Sequence, residues 1–261
     1  VNSIISRSLK TIAAKVDTTG QGKSLLVFNP LSWARTDVVE LLLKNVADSL
    51  VVCDEQGQTV PSQISEADGK MIFIAEDVPS VGYKEYRIKR TKHPDQFSTS
   101  LSCAESEREI KLENEFFAVK IDKKTGLLNS VFDKTSKKEV LLDSGNRIEV
   151  FEDYPVSGRT SVNSRVDAEI FDAWEIYIYQ QPGGAKCIKL KDPVEVKLVE
   201  NGPVRSRVRV KYNYAQKGRP NSTFVVEISM CPKIALIHFR LHVDWHAEHR
   251  LAKVAFPLSV H

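Results

Sequence analysis

Long apolar runs are missing from this sequence: no stretch approaches the roughly 18 residues that a membrane-spanning helix needs. The first residues also lack the basic-then-apolar layout of a signal peptide. Cysteine is scarce, with Cys53, Cys103, Cys187 and Cys231 far apart and no CxxC among them, so they read as single thiols in a reducing, cytoplasmic setting. A surplus of one charge is absent as well. Thirty-seven cations against 34 anions leave a net charge of +3, which calls for neither a nucleic acid nor a membrane partner. There is no Gly-rich phosphate loop, no GxSxG elbow and no HExxH. An initiator Met is lacking too, and a chain that begins with Val1 is expected to be an internal piece of a longer protein.

What the sequence does contain is ordinary for a globular protein, 42% hydrophobic and 27% charged over 261 residues, enough to bury a sizeable core. Ile5, Leu9, Ile12 and Val16 fall at helical spacing, and "DTTGQG" ends that run, so residues 1–20 read as the last helix of a preceding helical domain. Short segments rich in branched and aromatic residues follow, among them "SLLVFN", "DVVELLL", "LVVCD", "KMIFIA" and "KEYRIK", and predict a small β-sandwich over 23–90. Residues 91–107 are polar and without period, which marks a linker. A second, larger β domain is expected over 108–261, opening with "EIKLENEFFAVKID", turning at "KKTG" and returning through "LLNSVFD" as a hairpin. The fold class is therefore all-β, with a single helix at the N-terminal end.

The segment "IHFRLHVDWHAEHR" packs four of the six histidines into fourteen positions and raises the question of a metal site. Ile237, Phe239, Leu241, Val243 and Trp245 alternate with His238, Arg240, His242, Asp244 and His246, a period of two that predicts a half-buried strand with its odd positions in the core. Arg240 between His238 and His242 argues against a metal, because a fixed cation repels a divalent ion and no thiolate stands nearby. Alternation recurs at Val204–Tyr214, where Arg205, Arg207, Arg209 and Lys211 share one face. A solvent face paired with glutamates such as Glu195 and Glu227 accounts for them, and an acidic partner is the other possibility.

Four ordered segments carry a resemblance to a known family. "VFNPLSWARTDVVEL" at 27–41, "LENEFFAVKIDKKTGLLNSVFDK" at 112–134, "FEDYP" followed by "FDAWEIY" at 171–177, and "VDWHAEHRLAKVAFPL" at 243–258 resemble the β region of glycoside hydrolase family 38, the retaining α-mannosidases. The resemblance implies a small β-sandwich followed by a large, mutarotase-like β-supersandwich, truncated here at its C-terminal side. It also implies an α-mannoside or oligosaccharide substrate. Zinc and the nucleophilic aspartate belong, in that family, to an N-terminal α/β domain with a His-x-Asp segment. His242-Val243-Asp244 has those letters but aligns with the β region instead, so no metal or other cofactor is expected in this chain.

The resemblance makes the chain a noncatalytic support of a sugar site, and no catalytic residue can be assigned within it. Asp153, Asp172 and Trp174 are the substrate-binding candidates, because an aromatic ring beside acceptors suits the C–H face and the hydroxyls of a sugar. A place in the core is the ordinary alternative for Trp174. Two other functions fit the same residues: a stand-alone carbohydrate-binding module, and a mutarotase-like epimerase that would use His242 with a glutamate as acid and base.

Overall fold

The computed structural model describes residues 2–43, 50–65, 68–91, 97–153, 156–157, 169–170 and 186–259. Two compact units divide the chain. The first gathers residues 1–101 with two later segments, Glu200–Ser206 and Cys231–Leu236; the second holds Ser102–Val199, Arg207–Met230 and Ile237–His261. One helix, α1 (Asn2–Ala13), is present among the described residues, and its Ile4, Ile5, Leu9 and Ile12 are open to solvent.

Among the described residues, seven strands make the sheets of the first unit: β1 (Lys23–Asn29), β2 (Arg35–Leu41), β3 (Leu50–Cys53), β4 (Thr59–Val60), β5 (Ser62–Ile64), β6 (Met71–Val78) and β7 (Gly82–Arg90). They form antiparallel sheets ordered β1-β7-β3-β4 and β2-β6-β5. The apolar run Met71–Ala75 is too continuous for a strand with one wet face, and the structure shows why. Its odd positions, Met71, Phe73 and Ala75, pack with Val52 and Tyr86 between the two sheets. Its even positions, Ile72 and Ile74, pack with Val204, Cys231 and Ile234 from the later segments. A strand buried on both faces loses the alternation that identifies a half-buried one.

The second unit contains β8 (Ser102–Glu105), β9 (Glu109–Glu113), β10 (Phe117–Asp122), β11 (Leu128–Asp133), β12 (Lys138–Glu139), β13 (Arg147–Glu152), β14 (Val156–Ser157) and β15 (Glu169–Ile170). After these come β16 (Cys187–Leu190), β17 (Glu195–Asn201), β18 (Ser206–Tyr214), β19 (Ser222–Met230), β20 (His238–Asp244) and β21 (Arg250–Ala255). Its sheets run β12-β11-β10-β9-β8, β16-β13-β21, β14-β15 and β17-β18-β19-β20.

The segment expected as linker is in part a strand. Ser102–Glu105 pairs with β9, Cys103 opposite Leu112 and Ala104 opposite Lys111, and its polar side chains suit an outer strand, where backbone pairing needs no apolar period. The single strand expected to open the second domain is two. Asn114 accepts the N–H groups of Phe116 and Phe117 and turns the chain between β9 and β10. The "KKTG" turn stands where it was expected, with Asp122 accepting the N–H groups of Lys124 and Thr125.

The histidine segment is a strand, but its odd positions are not core. In the β19/β20 register Phe239, Leu241 and Val243 lie opposite Ile228, Val226 and Phe224, which are buried. They therefore share the core-facing side of the sheet. They remain 39%, 42% and 37% exposed because β20 is the outermost strand and no further strand among the described residues pairs with it. Phe239 meets Phe256 edge-on, ring centroids 5.1 Å apart, which covers part of its ring.

Candidate functional site

Of the three sequence candidates, only Asp153 lies within the described residues; Asp172 and Trp174 lie outside them. Asp153 follows β13 and is buried, with its backbone N–H donating to the His249 carbonyl at 3.0 Å. The β13/β21 pairing sets Glu152 opposite Arg250 and Phe151 opposite Leu251. Arg250 reaches Glu152 at 3.6 Å and donates from Nε to the Tyr214 hydroxyl at 3.2 Å. The Tyr214 ring lies parallel to that of Trp245 at 6.2 Å. The "FEDYP" segment thus begins beside a chain of contacts that joins the Glu152 carboxylate, Arg250 and the rings of Tyr214 and Trp245.

The cation face of β18 is built differently from the solvent face the sequence suggested. Arg205 and Arg207 are buried. Arg205 donates to Glu200 at 2.8 Å and to Glu40 at 2.7 Å, in the first unit. Arg207 and Arg209 both bind Glu227, at 3.0 and 2.9 Å, in the second. Burial opposes ionisation of Glu227, yet the hydrogen bonds from Arg209 and Arg207 hold its carboxyl below the ordinary range. Of the two glutamates expected to pair with these cations, Glu227 does so with Arg207 and Arg209, whereas Arg205 takes Glu200 and Glu40 instead; the burial was not legible, because alternation places a residue on a face without saying what covers that face.

Beside this ion pair is an open cleft of 370 Å³ lined by Glu195, Arg209, Lys211, Val225, Glu227, Arg240 and His242. The cleft brings His242 and two glutamates to one place, although His242 stands on an outer strand. Glu227 is a poor base there, since two guanidinium groups stabilise its charged form.

Zinc does not fit the histidines. Arg240 shares the face and the cleft with His242, and Asp244 is engaged by His246 Nε2 at 3.1 Å. His249 takes a left-handed backbone conformation, φ 51°, in the turn before β21. No three His, Cys, Asp or Glu side chains converge as metal ligands among the described residues. No helix among them is long and apolar enough to cross a membrane.

The sequence reading missed the buried network of the first unit. Gln63 Oε1 accepts the N–H groups of Val204 and Arg205, and its Nε2 donates to Glu200. Glu40, bonded by Lys70 and Arg205, is pulled down to about 2. Gln63 and Glu200 are 137 positions apart and Glu40 and Arg205 are 165 apart, with no shared motif, so no local signal could have joined them.

Comparison with known proteins gives a consistent set of relatives. The model of the family described as glycosyl hydrolases family 38 C-terminal domain matches residues 112–261. Alpha-mannosidase G of Dictyostelium discoideum is 22% identical over 258 residues, 91% of this chain and 20% of that protein. The epididymis-specific alpha-mannosidase of Homo sapiens is 24% identical over 82% of this chain and 22% of its own length. A solved structure of a family 38 glycosyl hydrolase from Enterococcus faecalis superposes with a TM-score of 0.68 at 15% identity, over 97% of this chain and 35% of that one. The chain thus spans about a fifth of the length of the two alpha-mannosidases.

Proposed function

Because the chain belongs to glycosyl hydrolase family 38 and carries that family's C-terminal domain over residues 112–261, we propose that it is the noncatalytic β portion of a retaining α-mannosidase. In this reading it supports and shapes a site for terminal α-mannosides whose catalytic groups stand elsewhere in a longer, cytoplasmic protein. The match to the C-terminal domain carries the reading. The named alpha-mannosidases, of which this chain covers about a fifth, support the substrate class. Retaining hydrolysis needs a nucleophile and an acid/base carboxylate about 5 Å apart on either side of the glycosidic bond. Those carboxylates and the zinc belong, on this proposal, to an N-terminal catalytic domain, and Asp153, Asp172 and Trp174 are the residues of this chain that approach the sugar.

Sequencing the coding region upstream of Val1 tests the proposal. An open frame encoding a His-x-Asp zinc segment and a helical bundle is expected; an in-frame stop, or an unrelated domain joined to Val1, would overturn it.

A further inference from the structure

The polar face of the β17-β18-β19-β20 sheet is a lattice of charges with one place unfilled. Glu227 on β19 binds Arg209 on β18, and the β19/β20 register sets Arg240 directly opposite Glu227 on its other side. One row across three strands therefore reads Arg209, Glu227, Arg240, with the carboxylate in the centre. Four positions along, Thr223 Oγ1 reaches Asn213 Oδ1 at 3.5 Å, and Thr223 lies opposite Asp244. These two contacts fix the row between them as Lys211, Val225, His242, with Val225 opposite His242 in the register. Cation, valine and histidine occupy the pattern that cation, carboxylate and cation occupy in the row below.

We propose that the space over Val225 is a binding site for an oxyanion, the phosphate or carboxylate of a ligand about the size of a sugar phosphate or sugar acid. Strands about 4.8 Å apart put Lys211 and His242 on either side of Val225, roughly 10 Å between their backbones. That span admits an anion bridging the two side chains, with Arg240 about 7 Å along the strand from His242 to add a planar pair of donors. None of Lys211, Arg240 and His242 makes an ion pair among the described residues. The neighbouring acids do not fill the place: Glu227 is held by Arg207 and Arg209, and Asp244 by His246. Glu195 lines the cleft as well and adds an acceptor suited to a hydroxyl of the same ligand. The cleft, at 370 Å³, is within the usual size for a small-molecule site, about 300–1,000 Å³. Val225 offers an apolar floor to the C–H face of a ring. The site is independent of the mannosidase reading, since it needs only this sheet.

The experiment is an NMR titration of the whole chain at low ionic strength, following the ring protons of His242, with inorganic phosphate, a hexose 6-phosphate, glucuronate and the neutral hexose as separate probes. Saturable shifts of His242 with an anionic probe, and none with the neutral hexose, are expected. A response to phosphates and not to glucuronate would assign phosphate as the ligand group, and the reverse would assign carboxylate. Arg240→Ala should weaken binding about tenfold, the loss of one charge-assisted contact. Val225→Glu supplies the missing carboxylate from the sheet itself and should abolish binding. The absence of any saturable shift in the parent chain, or a Val225→Glu chain that binds as the parent does, would overturn the site. Should Val225→Glu fail to fold, the Lys211→Gln, Arg240→Gln double variant takes its place, and undiminished binding there has the same meaning.

Discussion

Arg205 and Glu200 form an ion pair with Nε and Oε2 2.8 Å apart, their side chains only 8% and 1% exposed. Gln63 completes the shell of Glu200 through its Nε2. Removing one member of such a pair leaves the other charged and desolvated, which costs more than the pair gains. Glu200→Ala should therefore lower the unfolding free energy by about 3–5 kcal/mol. Lys70→Ala, which breaks a more exposed contact to Glu40, should cost about 1 kcal/mol or less. Denaturant unfolding of both variants reads the difference; equal costs would mean that the Arg205 network adds nothing by its burial.

Glu40 gives that network a signature in acid. Hydrogen bonds from Lys70 and Arg205 bring its carboxyl from the ordinary 4.5 to about 2. A group whose folded-state pKa is depressed contributes stability above its unfolded value and loses it as pH falls through the folded one. Unfolding midpoints of the parent chain should therefore drop more steeply than those of Glu40→Gln between pH 4.5 and about 2. The variant should be the weaker of the two at neutral pH and approach the parent at the acid end. Parallel curves across that window would contradict the assignment.

Two phenylalanines on the same face of one sheet should differ in cost. Phe224 on β19 is buried, whereas Phe239 on β20 is 39% exposed. Phe224→Ala should cost about 3–5 kcal/mol and Phe239→Ala about half of that or less. Chemical unfolding measures both, and a Phe239→Ala loss as large as that of Phe224→Ala would place the β20 side chains in a closed core.

Those two residues also mark how far the sequence could be read. Alternation identified the strand and told its two faces apart, since the odd positions of β20 do sit opposite the buried Phe224, Val226 and Ile228. Depth within a sheet depends on what lies beyond the last strand, which no local period encodes. The continuous run at Met71–Ala75 is the converse case, identified as a strand while the core on one of its two faces came from segments far along the chain. Asp153 was singled out from the sequence as a carboxylate suited to a sugar; the structure buries it and ties its backbone N–H to the His249 carbonyl, a pairing across β13 and β21 that no local motif encodes. The place over Val225 was not legible, because it exists only in the register between β18, β19 and β20.

The turn at Gly126 is tied to the second core through a single hydroxyl. Gly126 has φ 70°, and a Cβ there would run into the Tyr212 hydroxyl and the Val210 side chain. Tyr212 donates to the Thr125 carbonyl at 2.8 Å, and burial pushes its phenol well above the ordinary range. Gly126→Ala should cost about 1–3 kcal/mol through backbone strain and overpacking. Tyr212→Phe removes one of the two clashes, so the double variant should lose less than the sum of the single losses, as a double-mutant cycle in thermal unfolding would read. Strict additivity would mean that the tyrosine does not confine the turn.

The most direct test of the noncatalytic reading is the rate at which the purified, folded chain hydrolyses an aryl α-mannoside, with zinc added and with a chelator. Release of the aryl group at the buffer rate under both conditions is predicted, because the proposed function assigns the nucleophile, the acid/base carboxylate and the zinc ligands to a domain outside this chain. Saturable turnover above buffer, lost on substitution of Asp153, His242 or any other residue within it, would contradict the account.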